Sequence, residues 1–153
     1  MCGEAHLEPV LKSIKLLNSK MHVEIITLLI PTLNDSDEEI RALSKWVREL
    51  DAEIPLHFTG YYPANRMTLP PTPVETLDRA REIAMDEGLK YVYTGNRPGD
   101  PGENTYCPKC GEKVILRAGM LLVENRLAKG NRCPECKTRI PIISDWKKGR
   151  KEG

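Results

Sequence analysis

Long apolar runs are missing from this 153-residue sequence. The longest, IITLLIP at 25–31, is far too short to span a bilayer, so no membrane partner is expected. The first residues, MCGEAHLEPV, lack a basic stretch followed by an apolar one. A secretory leader is therefore not expected, and the cytoplasm is the expected location. The phosphate-binding Walker sequence, the glycine fingerprint of dinucleotide folds and the HExxH metalloprotease motif are all absent. Internal repeats and low-complexity tracts are absent too. His6 and His22 flank the first predicted helix without ligand spacing between them.

What is present is a globular composition, with 40% hydrophobic and 29% charged residues. The net charge of +1 hides an asymmetry. From Cys107 onward, 12 Lys+Arg stand against 5 Asp+Glu, a surplus of +7. The preceding residues carry 11 against 17, or −6. Two units with different surfaces are expected.

Hydrophobic periodicity predicts an alternating chain. Leu7, Val10, Leu11, Ile14 and Leu17 share a helical face over 7–19. HVEIITLLI is β-branched and nearly continuous, which predicts a strand buried on both faces. Ser36 and Glu39 make a capping box ahead of the stripe Ile40, Leu43, Val47 and Leu50. A second strand begins near Ile54. Thr72, Pro73 and Glu75 predict the start of a third helix, which carries Val74, Leu77, Ile83 and Ala84 and stops at Gly88. LKYVYTG is a third strand. Helix, strand, helix, strand, helix, strand predicts an α/β fold with a parallel sheet. No strand precedes the first helix, so one sheet edge and part of one face are expected to lie open.

Five cysteines are present. Cys107, Cys110, Cys133 and Cys136 follow C-x2-C-x22-C-x2-C, while Cys2 stands alone beside Gly3 with no visible basic partner. A two-residue gap points both sulfurs of a turn at one place, and two such turns supply a tetrahedron. The segments VIL and LLVENRL suit the hairpin of a zinc ribbon. Zinc is the favoured metal; iron in a rubredoxin-like site uses the same ligands, and two disulfides are the competing reading. With four protein ligands the metal has no open position, so a structural role is expected. The first turn, CPKCG, has a knuckle glycine, whereas CPECK has Lys137 there.

Other residues read two ways. Asn34 and Asp35 lie at the carboxyl end of a predicted strand, where parallel folds bind ligands, and are equally ordinary capping residues. His57, on the second strand, is either a satisfied strand residue or a catalyst. Tyr61 and Tyr62 either line a pocket or close a barrel end. Asn104 either orients the first cysteine turn or bends the chain. The tail KKGRKEG reads as a solvated end.

Four segments, YVYTGNRPGDPGENTYCPKCGE, LIPTLNDSDEEIRALSKWV, PLHFTGYYPANRM and PPTPVETLDRAREIAMDEGLKYVY, resemble the C-terminal part of radical SAM enzymes of the AmmeMemoRadiSam family. These are relatives of pyruvate formate-lyase activating enzymes. The likeness runs from Gly3 to Trp146. It implies a partial TIM-like barrel: residues 1–93 as the second half of the barrel, 94–106 as a linker, 107–146 as a zinc-ribbon-like module and 147–153 as a basic tail. It also implies that Pro31, Thr32, Leu33, Asn34 and Asp35, with His57 and Tyr62, face S-adenosylmethionine (SAM). The sequence departs from the family at Thr32, where glycine is usual, at Gly60, where arginine is expected, and at Tyr62, where histidine is frequent. A larger departure is the missing C-x3-C-x2-C triplet that holds the family's [4Fe–4S] cluster. The resemblance therefore implies a chain that does not cleave SAM alone. It works with a separate N-terminal half or partner chain bearing the cluster, or self-associates at the open edge. A reading from another class is a stand-alone zinc-ribbon module that binds nucleic acid or an acidic protein. Four thiolates and one Zn²⁺ reduce its surplus to about +5, and only Tyr106 and Trp146 offer stacking surface.

Overall fold

The computed structural model describes residues 6–97, 99–119 and 121–143. Cys2, Trp146 and the 147–153 tail lie outside them. Six elements alternate as the hydrophobic pattern dictates: α1 (Leu7–Asn18), β1 (Ile25–Leu29), α2 (Asp37–Leu50), β2 (Leu56–Gly60), α3 (Val74–Asp86) and β3 (Val92–Gly95). The strands form one parallel sheet in the order β1-β2-β3, with Ile26, His57 and Tyr93 aligned across it. Each crossover is a helix, as parallel pairing requires.

Local chemistry sets the helix ends. The Ser36 hydroxyl accepts from Glu39 N at 3.3 Å and meets Glu39 Oε2 at 2.8 Å, which starts α2. Gly88, with φ +97°, ends α3 in the left-handed conformation that glycine tolerates best. The start of α3 differs from expectation. Thr72 does not cap it; Pro73 occupies the cap position without a side-chain bond. The Thr72 hydroxyl instead donates to Leu29 O at 2.6 Å and accepts from Tyr61 N at 2.8 Å. It stitches β1 to the end of β2, a stronger claim on the hydroxyl than an exposed helix terminus.

The helices cover one sheet face. Leu29, Ile40, Val47, Leu56, Phe58, Leu77, Ala80 and Ala84 are buried there, and Ile14, Leu43, Trp46 and Leu50 pack around them. Truncating a residue such as Phe58 to alanine costs about 3–5 kcal/mol in a core of this kind. The opposite face is covered unevenly. Ile26 is 71% and Leu28 42% exposed, so β1 is buried on one face and not on both. The continuous apolar run conceals this, because a missing layer leaves no mark on the strand's own sequence.

Over β3 the second face is covered. A turn at Pro101–Glu103 leads to an antiparallel sheet of β4 (Thr105–Tyr106), β5 (Lys113–Ala118) and β6 (Leu121–Asn125). Its core, Cys107, Val114, Ile115, Cys133 and Ile140, closes on Tyr91 and Tyr93. The 94–106 segment therefore begins inside β3 and ends in β4. Asn104 ties it to the second sheet: its Oδ1 accepts from Arg117 N at 2.8 Å and its Nδ2 donates to Pro101 O at 3.2 Å. Among the described residues, no helix is long and apolar enough to cross a membrane.

Candidate metal centre and adjoining cleft

The two cysteine turns have the same construction. Cys107 N donates to Glu112 O and Gly111 N to Cys107 O; Cys133 N donates to Thr138 O and Lys137 N to Cys133 O. Gly111 has φ +74° and Lys137 φ +61°. The missing knuckle glycine does not alter the turn. Lys137 adopts the left-handed conformation at a cost of order 1–3 kcal/mol, and its ammonium reaches Pro134 O.

These turns converge. Cys107 Sγ lies 3.4 Å from Cys136 Sγ and Cys110 Sγ lies 3.6 Å from Cys133 Sγ, with all four sulfurs within 4.8 Å of one another. All four are free thiols. A tetrahedron with Zn–S of about 2.3 Å requires sulfurs about 3.8 Å apart, so the donor set fits one metal ion. Cys107 and Cys133 are buried, and Cys136 is partly so. The Thr138 side chain and backbone pull the Cys136 thiol down to about 6. For Cys110, the lowering effect of the Glu112 backbone is outweighed by desolvation and by the three neighbouring thiols, which push it up to about 12. Thiol ligands must lose their protons to hold a cation, so binding at this donor set depends on pH.

Between the two sheets lies a cleft of about 550 Å³. His57 Nε2 is 2.9 Å from Glu24 Oε2, and His22 Nε2 is 3.0 Å from Glu24 Oε1. The His57 ring stacks on Tyr93 with centroids 4.8 Å apart. Tyr93 OH is 3.0 Å from Thr105 Oγ1. From β5, Arg117 lies 5.5 Å from the Tyr93 ring centre and donates to Glu103 O and Thr105 Oγ1. Burial, outweighing Glu24, holds His57 below its ordinary pKa; Arg117 acts in the same direction. Glu24 is also held low: the hydrogen bonds and charges of both histidines overcome a desolvation effect of opposite sign. Facing the Glu24 carboxylate, His57 Nε2 carries a proton and donates it in either charge state of the ring.

Sequence reasoning named His57 but neither Glu24 nor Arg117, and it set His22 aside. The signal was available. Alternation along an extended segment places His22, Glu24 and Ile26 on one side, and Ile26 is the register partner of His57.

The remaining candidates lie elsewhere. Asn34 Nδ2 donates to Leu28 O at 2.9 Å, and its Oδ1 accepts from Ile30 N at 2.7 Å. Asp35 Oδ1 accepts from Thr32 N at 2.8 Å. Both side chains organise their own loop, in which Thr32 takes φ +67° where the resemblance implies glycine. Tyr62 is 61% exposed and donates to Asn96 O at 3.2 Å. These three lie in loops at the carboxyl end of the parallel sheet, whereas His57 sits on its open face toward the amino end. Tyr61 is buried.

No family model and no solved structure matches the chain. It is 43% identical over 147 residues to a protein of Methanocaldococcus jannaschii described as uncharacterized. That match covers 92% of this chain and 43% of the relative, so the chain spans less than half of the relative's length.

Proposed function

We propose that this chain is the C-terminal half of a radical SAM protein of the activating-enzyme type. The parallel strands form part of a TIM-like barrel that a further polypeptide segment completes. The four cysteines hold a structural zinc ion in a ribbon that floors the amino end of the sheet. The observation that carries this reading is the uneven covering of β1–β3. Helices pack one face, the cysteine sheet closes on Tyr91 and Tyr93, and Ile26 and Leu28 stay bare. Parallel strands are ordinarily buried on both faces. The length of the relative supports the same view.

In the completed protein, cluster and SAM enter with the other segment, because this chain has no C-x3-C-x2-C. The loops holding Asn34, Asp35 and Tyr62 face that ligand at the carboxyl end of the strands, where α/β folds bind small molecules. Zinc bound by four thiolates supplies folding energy and no open coordination position. A reducing cytoplasm suits both the thiolates and the cluster.

The test uses the full-length M. jannaschii relative, purified without oxygen and reduced in the presence of SAM. Formation of 5′-deoxyadenosine, together with iron and inorganic sulfide in addition to zinc, is expected. This chain alone should give no 5′-deoxyadenosine. A full-length protein that binds no iron and leaves SAM intact would remove the reading.

A further inference from the structure

The backbone of β1 shows which of its groups are already used. Ile25 N donates to Pro55 O at 2.9 Å, so Ile25, Thr27 and Leu29 face β2. By alternation Ile26, Leu28 and Ile30 face outward, away from the sheet. At one end of that outer edge the groups are taken. The Asn34 amide bonds Leu28 O and Ile30 N together. In a parallel ladder a single partner residue accepts from one amide and donates to the carbonyl two residues earlier. The Asn34 side chain therefore fills the place of a parallel neighbour and fills it only there. No such partner meets the outward groups of Ile26 or the Leu28 amide among the described residues.

The helix layer indicates what belongs on the edge. α2 joins β1 to β2 and α3 joins β2 to β3, each crossing from one parallel strand to the next. Ile14 of α1 packs on the same core as α2 and α3. A helix on that layer, immediately before β1, occupies the crossover position of a strand on the outer side of β1. Leu7, Val10 and Leu17 of α1 are exposed, as are Ile26 and Leu28.

We propose that the outer edge of β1 from Glu24 to Leu28 docks one short parallel strand. That strand is carried by the part of the longer polypeptide, as in the M. jannaschii relative, that this chain does not match. Asn34 is the stop that sets its register. The site takes a strand of about four residues, since each residue advances roughly 3.3 Å and Asn34 blocks the next rung. An apolar residue opposite Ile26 extends the bare face. This inference rests on the reading of the chain as part of a larger barrel, and not on radical chemistry.

The experiment co-produces this chain with the unmatched part of the M. jannaschii protein and follows amide hydrogen exchange by NMR. In the chain alone, the Ile26 and Leu28 amides exchange fast and Ile30, held by Asn34, at least tenfold slower. In the complex, Ile26 and Leu28 slow by tenfold or more while Ile30 is unchanged. Ile26→Pro removes an outward amide without touching the β2 ladder. It should abolish the complex while metal content and the Phe58 core signals stay those of wild type. A complex without protection at Ile26 and Leu28 overturns the docking site, even if it cleaves SAM. No complex, or equal protection in a homodimer of this chain, overturns it too. A protected complex that leaves SAM intact supports the docking site and removes only the radical SAM reading.

Discussion

Gly102 has the least room for a Cβ among the glycines whose surroundings are described, and replacing it with alanine tests how the turn between the two sheets is packed on β3. A Cβ there would lie 2.2 Å from Thr94 Oγ1 and 2.8 Å from Asp100 Oδ1. Neither neighbour can yield freely. Thr94 is 3% and Asp100 6% exposed. The Thr94 hydroxyl donates to Asp100 Oδ1 at 2.9 Å, and Gly102 N donates to the same oxygen. A β-branched side chain in a strand has few rotamers to escape into. The methyl group therefore breaks this pair of bonds and leaves buried polar groups without partners, at about 1–3 kcal/mol each. We expect Gly102→Ala to destabilise by about 3 kcal/mol, read from the urea midpoint of the metal-loaded protein at unchanged m-value. Thr94→Ala alone should cost about 1–2 kcal/mol. Because it also removes the obstructing oxygen, the double variant should be more stable than the sum of the two by about 2 kcal/mol. A Gly102→Ala protein within 0.5 kcal/mol of wild type, or strictly additive variants, would refute the packing argument.

Three further outcomes follow from individual contacts. Asn34→Ala should lose about 1–3 kcal/mol, two hydrogen bonds' worth, and Asn34→Asp about half, since a carboxylate accepts from Ile30 N but cannot donate to Leu28 O; equal losses would contradict the assigned bonds. Lys137→Gly should raise stability by about 1 kcal/mol by relieving the left-handed backbone, measured as a higher urea midpoint, and a lower midpoint would show that the turn is not strained. Burial depresses the His57 pKa in the folded protein, so its contribution is complete above the unfolded value of about 6.5 and declines as pH falls below it. Against wild type, His57→Gln should flatten the loss of stability between pH 7.5 and 5.5; parallel curves would show that His57 is not buried as neutral imidazole.

Local chemistry made much of this fold legible. The Ser36–Glu39 box, the Ile40/Val47 stripe, the Gly88 stop and the paired cysteine turns each depend on neighbours within a few residues, and each stands where the pattern put it. What escaped depends on distant partners. Thr72 has the chemistry of a cap, yet it is held by Leu29 and Tyr61, 43 and 11 residues away. The run at β1 shows hydrophobicity but not which face lacks a cover. Lys137 shows that a missing glycine need not change a turn when the same pair of backbone hydrogen bonds closes it. In the cleft, His57 was visible as a lone histidine. Its setting among Glu24, Tyr93 and Arg117 exists only because strand register and the second sheet bring them together.

The central claim is that the four cysteines are scaffold, and the metal and sulfide content of the chain purified without oxygen tests it most directly. About one zinc per chain, no iron and no inorganic sulfide are predicted. Removal by a chelator should abolish the packing of the second sheet on Tyr91 and Tyr93, seen as loss of their near-ultraviolet circular dichroism. Iron with inorganic sulfide in this chain alone would contradict the account, because the four thiolates would then hold a cluster and the chain would carry redox chemistry of its own.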